Sequence, residues 1–415
     1  MSRSLVAGAL AAALVASGAH AQSGDASQYC EGDGGPSGMA SDAEHTVLLG
    51  EAPLPRGVRS QRVTVGGVAT RVVEAGPRNA TDAVVFVHGH PGSARDFDRL
   101  VSAGGRFARS VAFDVPGYGR SDKLAAQVQT TDGAADYIAG VLEKLRIRRV
   151  VLVVHDLGGP WGLQWAVKHP DALTGAVLMD GGVLIDWNPP PFADAWATPG
   201  VGETQMASTT RDNFKAALQA TNPRVPQDFL DRMYDNYDRP TRCAALRYYR
   251  DLLNNNPNLG KQQAAVLRKR RRPALAIWGA DDTFVPPDQA EKQKQAFPDV
   301  KVHLIKGSGH WVFMDTPERV RNLFVPFVRP RLIVRRPHAR AGARRLRVRV
   351  RVKGMLPAYR VRVRIGTRRS SKPVLVRGKR TLEIRVRRPL RAGRYSLRVY
   401  ARGLVIRRLH FRVSR

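Results

Sequence analysis

The stretch from Val150 to Pro160 constrains this chain more than any other. Val150-Val151-Leu152-Val153-Val154 is a run of aliphatic residues that needs cover on both sides, so it reads as an interior strand of a sheet. His155-Asp156-Leu157-Gly158-Gly159-Pro160 then makes a sharp turn carrying one acidic side chain. A helix is predicted from Trp161 to His169, stopped by Pro170. Gly158 and Gly159 leave room where strand and helix crowd together. Taken alone, the turn is equally an ordinary strand-to-helix connection in which Asp156 caps the helix. The residues elsewhere in the chain decide between these readings.

Aliphatic runs and helical patterns alternate around this stretch. Ala83–Val87, Ser110–Phe113, Ala176–Met179, Ala274–Gly279 and Val300–Ile305 read as strands. Helices are predicted near Asp132–Leu145 and Thr316–Phe327, and Gly66-Gly67 marks a hairpin between Arg62 and Val73. The pattern implies an α/β fold with a doubly wound, mostly parallel sheet over residues 56–186 and 263–330. Residues 187–262 break the alternation; they are Pro-rich, then helical, and read as a cap inserted above the sheet.

Charge divides the chain a second time. Residues 331–415 hold 30 Lys and Arg against one acid, Glu383, a net +29 of the chain's +33, which leaves +4 for residues 1–330. Within that segment Arg347–Val352 and Arg360–Ile365 alternate Arg with an aliphatic residue, and Gly354, Gly366, Gly378 and Gly393 punctuate the runs. Period two excludes a helix and predicts a small antiparallel β-sandwich with an apolar inner face and an Arg-rich outer one. Such a face is suited to a polyanion, whether cell-wall polymer, acidic polysaccharide or nucleic acid, or is simply solvated. Without interleaved aromatics it is not expected to read nucleic acid by sequence.

The N-terminus has the pattern of an export signal over residues 1–21: Arg3, an apolar run from Leu5 to Ser17, and Ala19-His20-Ala21. The run is short for a bilayer span, and no later segment approaches about 18 uninterrupted apolar residues. The expectation is an exported protein, secreted or attached to the cell envelope, with no transmembrane segment in the mature chain; an uncleaved N-terminal anchor is the alternative. Residues 22–55 read as a flexible extension rich in Gly, Ser, Ala and Asp. The two cysteines, Cys30 and Cys243, are left open as a bridge or as free thiols, because sequence separation does not fix their distance in space.

Nucleophilic hydrolysis needs a nucleophile, a base, a group orienting the base and donors for an oxyanion. Asp156 is the candidate nucleophile, Asp282 follows a later strand, and His310 follows the next one. His88-Gly89-His90-Pro91 follows an early strand. In an open α/β sheet all four gather at the carboxyl ends of the strands. Singly, His310 is an ordinary loop histidine and Asp282 a helix cap; the order of the set is what carries the reading. His88, His90 and His155 lack the spacing of a metal site, so neither metal nor cofactor is expected.

These residues, together with Asp114-Val115-Pro116-Gly117-Tyr118-Gly119-Arg120-Ser121-Asp122, resemble the α/β-hydrolase fold over about residues 60–328. Within it, the Asp at the turn resembles the haloalkane dehalogenase and epoxide hydrolase branch. The resemblance implies that Asp156 attacks carbon to form an ester and that His310 directs water onto that ester. It further implies that Asp282 orients His310 and that the backbone N–H groups of Leu157 and His90 form the oxyanion hole. Asp180 is the alternative orienting acid. Leu157 and His90 depart from dehalogenases, which usually place Trp and Asn there to hold the halide. Arg247-Tyr248-Tyr249-Arg250 resembles an epoxide hydrolase cap motif, which implies Tyr249 as a proton donor with Tyr234 or Tyr237 as a second one; related dehalogenases share the Tyr-Arg pair, and Tyr249 as a packing residue of a cap helix is the alternative. The substrate is expected to be a small apolar epoxide, with haloalkanes as the alternative. A binding protein built on a hydrolase scaffold is the reading from another class. The C-terminal segment resembles immunoglobulin-like modules appended to exported bacterial proteins.

Overall fold

The structure is a computed structural model. It describes residues 29–30, 52–123, 126–329, 331–353, 358–365, 369–370, 374–377, 379–385, 389–401 and 404–414. The expected export signal and most of the expected extension lie outside the described residues.

The first eight strands are β1 (Val58–Val65), β2 (Val68–Ala75), β3 (Asp82–Val87), β4 (Arg109–Phe113), β5 (Arg149–His155), β6 (Leu173–Met179), β7 (Ala274–Gly279) and β8 (Lys301–Ile305). Among the described residues they form one sheet in the order β1-β2-β4-β3-β5-β6-β7-β8. β1 and β2 make an antiparallel hairpin across Gly66 and Gly67, whose φ values of 55° and 83° suit a tight turn that residues with a Cβ resist. β2 runs antiparallel to β4, and every later pairing in this sheet is parallel.

Alternation sends the side chains of β5 to two cores. Val151 and Val153 pack with Phe86, Phe97 and Phe324 on one face. Val150, Leu152 and Val154 pack with Ile138, Leu163 and Trp165 on the other. All five are fully buried, each worth roughly 1.5–3 kcal/mol relative to exposure. Helices α1 (Asp98–Gly105), α2 (Thr131–Lys144) and α3 (Gly158–Lys168) cover the sheet. α3 starts three residues earlier than the sequence predicts. Leu157 is already helical at φ −59° and ψ −20°, and Pro160 sits in the first turn, where its missing N–H is no loss.

Between β6 and β7 the cap helices are α4 (Pro191–Ala197), α5 (Val201–Ala207), α6 (Arg211–Thr221), α7 (Gln227–Asp235) and α8 (Arg239–Arg250). The boundary expected at residue 262 falls inside the next helix, α9 (Leu259–Leu267). α9 is docked on the core, where Gln263 Nε2 donates to the Pro160 carbonyl at 2.9 Å. Three more helices follow: α10 (Asp288–Lys292), α11 (Val312–Asp315) and α12 (Pro317–Val328).

Cys30 and Cys243 are bridged, with Cα atoms 5.6 Å apart. The bridge ties residues 29–30 to α8, and Arg239 Nε adds a 2.6 Å hydrogen bond to the Tyr29 carbonyl. At these two residues the extension is therefore packed against the cap rather than free.

Beyond residue 330 the described elements are all strands: β9 (Arg331–Val334), β10 (Ala339–Arg340), β11 (Arg345–Lys353), β12 (Ala358–Ile365), β13 (Arg369–Ser370), β14 (Val374–Arg377), β15 (Lys379–Arg385), β16 (Gly393–Ala401) and β17 (Leu404–Ser414). They form a three-stranded sheet, β15-β11-β9, and a larger one built on β10-β17-β16-β12. Leu346, Val348 and Val350 face a shared core with Val363, Leu397 and Val399, while Arg345, Arg347, Arg349 and Arg351 are exposed. The expected sandwich departs from all-antiparallel pairing at one place, the short parallel contact of β10 with β17.

Candidate active site

β5 delivers Asp156 at φ +51°, a left-handed conformation that a residue with a Cβ adopts at a cost. Close packing holds it there. A Cβ on Gly89 would lie 2.3 Å from Asp156 Oδ1, and one on Gly158 would lie 2.3 Å from the Val87 carbonyl oxygen. The turn therefore needs glycine on both sides, which is why the neighbouring loops approach so closely.

The structure brings Asp156, Asp282 and His310 together. Asp156 Oδ2 lies 3.3 Å from His310 Nε2, and His310 Nδ1 lies 2.9 Å from Asp282 Oδ2. Asp282 is locked in turn, since its Oδ1 accepts from the backbone N–H groups of Phe284 at 2.8 Å and Val285 at 3.0 Å. The His90 backbone N–H donates to Asp156 Oδ1 at 2.6 Å. Leu157 follows Asp156 as the sequence requires, but among the described residues its N–H makes no bond to the carboxylate.

Asp180, the alternative orienting acid, does not reach the His310 ring. Its Oδ1 accepts from Gly279 N at 2.6 Å and its Oδ2 from Val312 N at 3.3 Å, so it clamps the end of β7 to α11. Burial, and then the charge of Asp282, hold its carboxyl well above the usual carboxylate range.

Two positioning residues escape sequence reasoning. Asn222, at the end of cap helix α6, accepts from His310 N through Oδ1 at 2.8 Å. His155 donates from Nε2 to the His310 carbonyl at 3.0 Å, and its ring lies 4.7 Å from that of His310. Its position beside Asp156 was a signal; Asn222 gave none. His88 spends both ring nitrogens on backbone, donating to Gly89 O at 2.9 Å and accepting from Val115 N at 3.0 Å.

The cap closes the site with aromatic rings. The Tyr249 ring centroid lies 5.7 Å from that of His90 and 5.1 Å from that of Trp196. Among the described residues the Tyr249 hydroxyl has no hydrogen-bond partner, although the residue is only 4% exposed. Tyr248 points elsewhere and donates to the Pro116 carbonyl at 3.2 Å. Of the two residues considered for a second donor, Tyr237 places its hydroxyl 3.4 Å from His90 Nε2. Tyr234 does not enter the site; it is half-buried against Phe214 with the Arg211 guanidinium over its ring. The Tyr118 hydroxyl lies 3.3 Å from His90 Nδ1, so the imidazole sits between two phenols.

Burial and charge sort the protonation states. Burial pushes the Asp156 carboxyl up, but the hydrogen bond and charge of His310 outweigh it, and its pKa falls to about 2. For His310 burial acts downward, and the charges and hydrogen bonds of Asp282 and Asp156 raise it well above the ordinary histidine value. Burial lowers His90 to about 4 and, with the His310 charge, lowers His155 to about 3, so both are neutral at neutral pH. Burial, and then the Asp156 charge, hold the Tyr249 phenol well above its usual range. Among the described residues no group of three His, Cys, Asp or Glu is placed to hold a metal ion.

A family model described as the alpha/beta hydrolase fold matches residues 82–317. A curated relative, the 2-hydroxy-6-oxononadienedioate/2-hydroxy-6-oxononatrienedioate hydrolase of Burkholderia vietnamiensis, is 28% identical over 283 residues, covering 64% of this chain and 94% of its own. The uncharacterized hydrolase YugF of Bacillus subtilis is 25% identical over 272 residues, 65% of this chain and 97% of its own. Among solved structures, the Cif epoxide hydrolase from Acinetobacter nosocomialis superposes with a TM-score of 0.58 at 18% identity, over 66% of this chain and 90% of its own. The haloalkane dehalogenase DatA from Agrobacterium tumefaciens C58 superposes with a TM-score of 0.56 at 20% identity, over 66% and 97%. At these identities the structural likeness establishes the fold.

Proposed function

The chain belongs to the alpha/beta hydrolase fold family, and on that premise we propose that it hydrolyses small apolar epoxides through an ester on Asp156. The observation that carries this is the unbroken contact line Asp282–His310–Asp156, with the His90 N–H on the far oxygen of Asp156. A carboxylate displaces a leaving group at an sp³ carbon without help from a base. Attack on a carbonyl by the same group would give an anhydride, so the elbow argues against hydrolysis at the oxo group of the substrates named for the Burkholderia relative.

In the first step one Asp156 oxygen bonds to an epoxide carbon, the ring C–O bond breaks, and Tyr249 gives its proton to the departing oxygen. In the second step His310 takes a proton from water, and the hydroxide attacks Asp156 Cγ. The negative oxygen then faces the His90 N–H. Collapse expels the alkoxide, which takes the His310 proton to complete the diol, and the carboxylic acid left on Asp156 gives its proton to the Tyr249 phenolate, so carboxylate, imidazole and phenol are all restored. Esterification removes the Asp156 charge, one of the two that keep His310 protonated. The imidazole thereby becomes a base at the point where a base is needed.

A haloalkane substrate is favoured by one observation: Trp196 brings an indole against Tyr249 and within 5.2 Å of His90, centroid to centroid. A panel measuring diol formation and halide release from matched substrates decides between the two. Halide release without diol formation would replace the epoxide reading.

The chain is assigned to export, which the Arg3 to Ala21 pattern and the Cys30–Cys243 bridge support, since such bridges persist in oxidising compartments. Residues 331–415 are assigned to contact with an anionic polymer. Cell fractionation with detection of the intact bridge tests the first assignment.

A further inference from the structure

Register arranges the charges of the C-terminal sandwich in rows. β12 pairs with β16 so that Arg364 lies opposite Arg398, and β16 pairs with β17 so that Arg398 lies opposite Arg408. The same register sets Arg394 opposite Arg412. Val363, Ile365, Leu397, Val399 and Phe411 are buried on the inner face, so these arginines stand on the outer one. Adjacent strands lie about 4.8 Å apart, which sets the spacing of the arginine stems along a row.

Like charges directly opposite on neighbouring strands repel. The described strands of this sheet contain no Asp or Glu. The one acid of residues 331–415, Glu383, lies on the other sheet, 3.3 Å from Arg345. Tyr400 shares this face, opposite Arg362 in the register of β12 and β16. Desolvation acts upward on Tyr400, but hydrogen bonds from Arg398 and Arg364 bring its pKa below the ordinary tyrosine value.

We propose that the outer face of β12, β16 and β17 binds a linear acidic polysaccharide bearing one carboxylate per sugar. The proposal rests on the reading of residues 331–415 as an anion-contacting module, and adds the face and the polymer. A row of three guanidiniums on neighbouring strands matches a ligand that repeats its charge at every sugar unit along an extended chain. Guanidinium forks take carboxylates through paired hydrogen bonds. Among the described residues the outward positions of β16 and β17 set Ser396, His410 and one tyrosine, Tyr400, among the arginines, whereas single-stranded nucleic acid is held by successive aromatic platforms.

The test uses the full chain with polygalacturonate, duplex DNA of matched charge and neutral dextran. The variant carries Arg364→Gln, Arg398→Gln and Arg408→Gln; the control carries Arg345→Gln, Arg347→Gln and Arg349→Gln on the other sheet. The row variant is expected to bind polygalacturonate at least about 10-fold more weakly at low salt, with a salt slope about two to three units shallower. Its melting temperature should hold or rise by a few degrees, because repulsion is relieved, and this separates lost binding from unfolding. Loss of binding in the control but not in the row variant overturns the face and leaves the module reading standing. Tighter binding to DNA overturns the polymer. No binding to any polyanion at low salt overturns the module reading itself.

Discussion

At the residue scale the proposed mechanism separates groups that would touch the reacting atoms from groups that position them. Tyr249 and Tyr248 are adjacent in sequence but differ in partners: the first has a free hydroxyl and feels the Asp156 charge, while the second is bonded to a backbone carbonyl. Tyr249→Phe should slow epoxide opening by about 10²-fold or more in a rapid-mix assay, and Tyr248→Phe should leave it within a few-fold. Equal losses in both would make Tyr249 a packing residue. The two half-reactions should also differ in pH response. Asp156 stays ionised down to about pH 2 and Tyr249 stays protonated throughout, so ester formation should be flat across the neutral range. Ester hydrolysis needs neutral His310 and should rise with pH. Stability should show the same group with its own sign. The folded pKa of His310 is raised, so its contribution is full below the unfolded value of about 6.5 and is lost as pH rises through the folded one. The stability gap between the wild type and His310→Gln, read by urea denaturation, should narrow on the alkaline side. Asp156, Asp282 and His310 were legible because each follows a strand within a few residues. Asp282 could not be separated from Asp180, because both follow strands and only the path of the two loops decides which one reaches the ring. Asn222 lies 88 residues before the His310 N–H it holds, and nothing local marks it.

At the element scale, the turn between β5 and α3 and the cap helix α8 do most to place these groups. The run Val150–Val154 was readable as a buried strand, yet the start of α3 was misplaced by three residues, because the chain becomes helical inside the turn itself. Gly158→Ala would set a Cβ against the carbonyl oxygens of Val87 and His88 at 2.3 and 2.6 Å. Neither backbone can yield cheaply, so thermal and urea unfolding should show a loss of about 1–3 kcal/mol or more. α8 carries Tyr249, Tyr248 and Cys243. Reduction of the bridge, or Cys243→Ser, should cost roughly 2–4 kcal/mol in denaturant titrations run with and without reductant. Unchanged stability would mean that the bridge carries none of the attachment of residues 29–30. That pairing was not legible, since the bridge spans 213 residues of sequence and depends on where the cap places α8.

Across the whole molecule the two proposed activities should respond differently to salt. The hydrolase part is close to neutral and buries its site beneath an aromatic cap, so turnover of an uncharged substrate should vary little with salt. Residues 331–415 carry +29, with Arg345, Arg347, Arg349, Arg351, Arg408 and Arg412 exposed, and the proposed polyanion contacts should weaken steeply with salt. Period-two alternation made the sandwich legible, but the arginine rows were not, because they depend on register between strands distant in sequence. The central claim is that Asp156 itself becomes esterified. The most direct measurement is a single turnover in ¹⁸O-water with excess enzyme, followed by mass analysis of the product and of the peptide containing Asp156, together with the intact mass of His310→Gln after substrate. Label should appear in the Asp156 carboxylate and not in the first product, and the His310 variant should hold a stable adduct on that peptide. Label in the first product, with an unlabelled Asp156 and no adduct in the variant, would mean that water attacks the substrate directly and would contradict the account.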